Sequence, residues 1–423
     1  MKTLRNAVIA IFAGLILMIS CKKSDIALPK SEANIDSIAS KYYEGYLKMY
    51  PLEATMQGDS RYNDLLSNNI SSEFISKEIA YYNETQKKLQ TLDYDALSDE
   101  QKTVYDVLDY TLKDKIERYA YHPELLPFSQ FEGLPLDFPL LGSAEGNQPF
   151  KTTKDYDNWL KRIDAFVIWM NTAEKNFREG MKQNVVLPKK LVVKMIPQMH
   201  SEEIITEDFD KNIFYGPIKK MPKNFSAKDK EKYKILYQEA ISSKIIPAYQ
   251  KMGDFLEKEY LPKARNTDGI NALPNGKNIY EYYAKSWTTT NKTPEEINKI
   301  GLQQVAMLRA EMEKVKTQLG FKGSLEQFLT SLKTDKKAMP YKTPEEVIAA
   351  FNGILKKIEP KLPSMFTKFP KTPFEIRRTE KFREASASAE YRQGSADGKR
   401  PGIFYTPIPD ATKYNVTNGF ESL

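Results

Sequence analysis

One cysteine and two histidines in 423 residues set the first limits on this chain. A lone cysteine cannot form an intrachain disulfide and excludes a cysteine-based zinc ribbon. His122 and His200 leave little material for a histidine-based metal site, and neither is followed by glutamate, so there is no HExxH. GxxxxGK[ST], GxGxxG and GxSxG are also missing, which argues against P-loop, dinucleotide and α/β-hydrolase chemistry. Beyond the N-terminus no apolar run approaches the roughly 18 residues a membrane-spanning helix needs. With 19 Gly and 24 Pro the chain is neither collagen-like nor low-complexity.

The rest of the composition is that of a folded protein: 41% hydrophobic, 28% charged, 12% aromatic. The formal charge of +7 does not imply a nucleic-acid partner. Basic and acidic residues alternate along most segments, as at 228–234, which describes a solvated helical face. The Lys219, Lys220 and Lys223 cluster is too small for a duplex footprint. We therefore expect no nucleic acid among the partners.

The N-terminus reads as a targeting segment. Lys2 and Arg5 precede a run from Ala7 to Ile19 without a polar side chain, short for a membrane span but right for a signal peptide. Ser20 then stands directly before Cys21, an arrangement that resembles a bacterial lipoprotein signal. Residues 1–20 are accordingly expected to be removed and Cys21 acylated. Residues 21–33 would form a tether, and the mature protein would be exported and lipid-anchored at an outer-membrane or periplasmic face, with membrane lipid as its partner through Cys21.

From residue 34 onward, helix follows helix. Apolar residues recur at 3.6-residue spacing in 72–92, 98–116, 154–181 and 227–258. Ser98 with Gln101 has capping-box spacing, Ser226 is a candidate N-cap, and Pro247 should kink its helix or split it. Thr293-Pro294-Glu295-Glu296 and Thr343-Pro344-Glu345-Glu346 each combine an N-cap, a proline at N1 and Glu at N3. The 123–149 segment carries too many breakers for a helix. After Pro370, 374–378 and 402–405 read as short strands. The expected fold is mainly α, a multi-helix array over 34–423 with a small β-sheet near the C-terminal end.

Candidate chemistry is sparse. His200 has Glu202 and Glu203 nearby, but a helix-terminal, partly exposed histidine explains it as well. The pairs Tyr42-Tyr43 and Tyr81-Tyr82, and Tyr280 with Tyr282-Tyr283, suit either a ligand groove or the core edge. The richest stretch is 389–405. There Asp397-Gly398 and Pro401-Gly402 shape turns around Arg400, flanked by Tyr391 and Tyr405. Two readings of it stand level. Arg400 grips a ligand carboxylate while Tyr391 and Tyr405 donate to a carbonyl or oxyanion, or the stretch is a tight loop in which Arg400 pairs with a nearby carboxylate.

Several segments together resemble the bacterial domain-of-unknown-function 885 family: Pro51–Asp59, Trp159–Arg162, Phe177–Met181, Leu273–Gly276, Thr293–Ile297 and, most specifically, Tyr391 with Asp397–Tyr405. The resemblance implies a helical zinc metallopeptidase of the gluzincin kind, acting on a peptide-like substrate. It also implies a His-Glu…Pro-Gly-His-His motif that follows the segment ending in Tyr405 and is not found in this sequence. Zinc is thus expected for a full-length protein. No residue here inherits a metal-ligand role, and the chain as given is expected to be inactive. The same resemblance places Tyr391, Arg400 and Tyr405 on a wall of the cleft. A non-catalytic, lipid-anchored binding protein is the alternative.

Overall fold

The computed structural model describes residues 34–379, 384, 387–395, 398, 400–408 and 409–414. Cys21, its signal and tether, and Asp397 fall outside these residues. The chain is mainly helical, with a three-stranded sheet late in the sequence. It divides into two compact units.

The smaller unit comprises, among described residues, 34–44 and 81–113. It is drawn from the helices Ile35–Met49, Ser72–Leu89 and Asp99–Arg118. The capping box at Ser98 and Gln101 forms as its spacing predicts, with reciprocal bonds of 3.1 and 3.3 Å. Tyr81 stacks on Tyr42 and donates to its carbonyl at 2.6 Å. Burial pushes the Tyr81 hydroxyl up to about 12. Both rings line a pocket of about 330 Å³, whereas Tyr82 is buried.

The larger unit, residues 45–80 and 114 onward, is organised around the helix Thr153–Lys182. Its buried stripe of Trp159, Ile163, Phe166, Met170 and Phe177 follows the predicted apolar face, with Trp169 added and Val167 only half-buried. Phe138 stacks flat on Phe166 with centroids 4.0 Å apart. A Thr152–Asp155 capping box opens this helix. The rod from Ala227 to Tyr260 packs on it, its start capped by Ser226 at 3.0 Å. At Pro247 the rod continues without a coil break but changes its helical type. The backbone widens to i→i+5 spacing at Ile241–Ile245, just before the proline, which absorbs its missing N–H and ring bulk.

One expectation fails inside 123–149: Leu134–Gly142 is a helix despite Pro135 and Pro139. Pro135 sits in the first turn, where no N–H is needed. Pro139 removes the donor that the Pro135 carbonyl would have received, and the buried hydroxyl of Tyr249 supplies it instead, at 2.7 Å. A tertiary bond thus replaces a lost helical one.

Towards the C-terminus, β1 (Phe374–Arg378), β2 (Glu390–Arg392) and β3 (Gly402–Thr406) form a sheet in the order β1-β3-β2. β1 runs parallel and β2 antiparallel to β3. Strand β2 was not anticipated, being only three residues long. Beside it, Val347, Ile408 and Ala411 make a small second core. Both threonine capping boxes form. The helix Pro294–Gln318 nevertheless buries no residue among those described: Leu302, Val305, Leu308, Met312 and Val315 all remain exposed. No helix of the described residues is long and apolar enough to cross a membrane.

Candidate functional site

A cavity of about 740 Å³ opens within the larger unit, walled by residues from 46–53, 66–75, 115–137 and 270–283. Local rules place each wall. Pro51 starts the short helix Pro51–Met56, which carries Leu52 and Glu53. The helix Asp99–Arg118 brings Lys115 and Arg118 in its last turn. His122 then adopts a left-handed conformation, φ 51°, and with Pro123 it turns the chain so that Glu124 follows on another wall. Gly133, at φ 132°, passes so close to Phe128 that a Cβ would lie 2.4 Å from it. Only glycine permits that turn into the helix that positions Asp137. Aromatic rings of Tyr46, Tyr50, Tyr119, Tyr121, Tyr283, Phe128 and Trp169 supply much of the surface.

Behind one wall lies a polar group held out of water. Glu78 is 1% exposed and accepts hydrogen bonds from the hydroxyls of Tyr50 and Tyr119, one on each carboxylate oxygen. Burial, and then the bond to Glu78, push the Tyr119 hydroxyl far above its usual range. Burial also pulls the Lys115 ammonium down, against the opposing charges of Glu78 and Glu53. Glu53 is pushed up by burial, with Lys115 opposing. Ionisable groups shifted in opposite directions within one cleft make it the candidate site of this chain.

The sequence carried a signal for two of these residues. Glu78 stands on the same face as Ile75, Ile79 and Tyr82, and Lys115 continues the Leu108, Leu112 stripe. A charge on an apolar stripe is a buried charge. Glu53 and Asp137 carried no such mark.

Opposite, Asp137 meets solvent through the cavity yet is surrounded by enough protein to be pushed up by desolvation first and by the charge of Glu132 second. A carboxyl raised above its unfolded value costs stability when ionised, and the cost disappears below the unfolded pKa. Asp137→Asn should therefore raise the melting temperature at pH 7, with the gain shrinking to nothing as pH falls towards about 4. Thermal melts of both proteins across that range check the sign.

The stretch singled out from sequence lies elsewhere in the same unit. Tyr391 is 56% exposed on the edge strand β2, its ring stacked on Phe374. Tyr405 is buried on β3 with the Arg392 guanidinium 5.2 Å from its ring centre. In the register, Tyr391 pairs with Phe404 and Glu390 with Tyr405, so Tyr391 and Tyr405 point to opposite faces of the sheet. The structure does not bring these two hydroxyls together. Arg400 donates to Asn147 Oδ1 at 2.8 Å and to the Met56 carbonyl, and its backbone N–H to Ser395 Oγ at 2.9 Å. Gly398 takes a positive φ of 73° in this turn. Pro401 leads into β3, and Gly402 lies so near the Tyr391 hydroxyl that a Cβ would be 2.4 Å away. Asn147 and Met56 are thus among the internal partners of Arg400, an amide oxygen and a backbone carbonyl from segments far away in the chain. Met56 ends the helix that presents Glu53, so this loop buttresses a cavity wall.

Among the described residues, one histidine-bearing donor group assembles: His200, Asp254 and Glu257, whose ligand atoms lie within 4.8 Å of one another. Gly253 lets the imidazole approach the helix. Its acidic neighbour is Asp254, 3.8 Å from Nε2, across 54 residues of chain. Asp254 is also bonded to Lys258 at 2.9 Å. One imidazole and two exposed carboxylates do not make the multi-histidine set that the family resemblance implies, so no zinc chemistry is assigned to these residues.

Residues 51–422 match the family described as "Bacterial protein of unknown function (DUF885)". The chain belongs to this DUF885 family. No curated protein matches it. A solved structure of a candidate lipoprotein from Colwellia psychrerythraea is similar, with TM-score 0.77 and 18% identity over 90% of this chain and 68% of that one. A second, a candidate lipoprotein of unknown function from Shewanella oneidensis, gives TM-score 0.58 and 15% identity over 91% and 66%. At such identities these similarities show the fold alone. The chain spans about two thirds of the length of each.

Proposed function

We propose that this DUF885 protein is an exported, lipid-anchored hydrolase of peptides or related amides. Its zinc in the intact protein would be held by residues that the present sequence does not contain. The observation that carries the reading is the 740 Å³ cavity, within the size range of small-molecule and cofactor sites, lined by aromatic rings and by carboxylate, ammonium and guanidinium groups. Such walls suit a peptide, whose backbone is polar and whose side chains are largely apolar. Tyr391, on the exposed edge of β2, offers a second contact for an extended chain adding to the sheet, with Arg400 and Tyr405 holding that edge in place.

Because the cavity is built wholly from described residues, the chain as given should bind short peptides and cleave none. Equilibrium binding and product analysis on the same sample separate the two. Cleavage by this chain alone would refute the location assigned to the metal. Tight zinc at about one equivalent in a longer gene product favours the enzyme over a purely binding protein. For the anchor, Cys21→Ala should move the protein from the membrane pellet to the soluble fraction. Retention in the pellet would sink acylation at Cys21.

A further inference from the structure

We infer that the cavity selects ligands carrying a positive charge, such as the ammonium of a peptide N-terminus or of a basic side chain, and seats that charge against Glu124, Glu132 and Asp137. The inference rests on the cavity being the peptide chamber proposed above and adds the class of ligand it takes.

Its basis is a charge imbalance. Four carboxylates line the cavity, from Glu53, Glu124, Glu132 and Asp137, against Lys115 and Arg118. Lys115 is already offset by Glu53 and Glu78. Arg118 and the half-exposed His122 then face three carboxylates. Those carboxylates also have acceptor capacity to spare. Glu124 holds His122 Nδ1 at 3.0 Å through Oε1, while its Oε2 is buried and meets no donor among the described residues. That oxygen is closed off from the cavity and adds negative charge behind its wall, while Glu132 and Asp137 present exposed carboxylates to it. Asp137 makes no side-chain hydrogen bond or ion pair with a described residue, and its largest charged influence is the like-charged Glu132. An ammonium has three donors and no acceptor, so it satisfies several carboxylates at once. The surrounding Tyr and Trp faces add cation–π attraction, and they stack with apolar groups beside the charge. An anionic ligand would meet the opposite field.

Calorimetric titration of the full chain tests this with four probes: phenethylamine, N-acetylphenethylamine, Phe-Ala amide and N-acetyl-Phe-Ala amide. The charged member of each pair should bind roughly tenfold or more tightly than its acetylated partner, the free-energy equivalent of one half-desolvated charge pair. Asp137→Asn and Glu132→Gln, isosteric changes at exposed wall positions, should each erode that preference. Asp137→Lys should reverse it in favour of 3-phenylpropionate, with circular dichroism confirming the fold. Equal binding of the two peptides would overturn charge selection and leave the peptide chamber standing. Binding of the amine with no binding of either peptide would support charge selection and remove the peptide reading. No binding of any probe would overturn both.

Discussion

Replacing Arg162 with methionine should cost about 3–5 kcal/mol of unfolding free energy, among the largest single-site effects expected in this chain. The side chain is wholly buried in the middle of the Thr153–Lys182 helix. Its Nε donates to the Leu65 carbonyl at 3.0 Å. One terminal nitrogen donates to Gln148, and the other reaches Thr55 Oγ1 at 2.7 Å and the Tyr62 carbonyl at 3.2 Å. One guanidinium therefore ties 51–65 and the 148 loop to the central helix. Methionine fills much of the space but leaves carbonyls buried without donors, and each orphan costs about 1–3 kcal/mol. Arg162→Lys keeps the charge and loses the fork, so an intermediate loss is expected. Burial pulls the guanidinium down to about 10, still well above neutrality, so the deficit should be flat between pH 6 and 8. Urea unfolding at both pH values measures it. A loss below about 1 kcal/mol would mean that water replaces the fork.

Glu78→Leu should be comparably severe, about 3–5 kcal/mol, and should also abolish ligand binding in the cavity. It strips the acceptor from Tyr50 and Tyr119, two rings that line the chamber, and leaves half-buried Lys115 without its main opposing charge. The pH dependence identifies the cause. A lysine with a lowered folded pKa penalises the fold while charged, and the penalty fades as pH rises from that lowered value through the unfolded pKa near 10.5. The Glu78→Leu deficit should therefore shrink in alkaline solution, and adding Lys115→Met should recover part of it at pH 7. A double mutant no better than the single would show that the tyrosine bonds carry the whole effect.

These residues show how far the sequence could be read. Helix starts were legible because a cap is settled within four residues. Thr293 with Glu296, Thr343 with Glu346, and Ser98 with Gln101 all bond as their spacing dictates. Family-like segments were legible too, and the structure gives several a physical task. Arg162 clamps loops. Gly180 lets the Val185 and Leu125 carbonyls approach, and Asn275 takes the left-handed turn that opens Gly276–Thr288. The candidate site was read less well. Tyr391, Arg400 and Tyr405 lie close in sequence, but a strand alternates its side chains and a turn commits its arginine, so nearness did not become convergence.

By itself, then, the sequence determined the mainly helical class, the late small sheet, the cap at each clear helix start and membership of the DUF885 family. Each depends on periodicity, or on contacts a few residues apart. Tertiary structure alone decided which stripes are covered. Glu78 is drawn out of water behind a cavity and Lys115 half-buried in its wall, while the Pro294–Gln318 stripe, equally regular, stays exposed. It alone let Pro139 sit inside a helix, through a hydroxyl from Tyr249, 110 positions further along. Periodicity says that a face exists; only packing against distant segments says what the face meets, and so where a charge is costly enough to be useful.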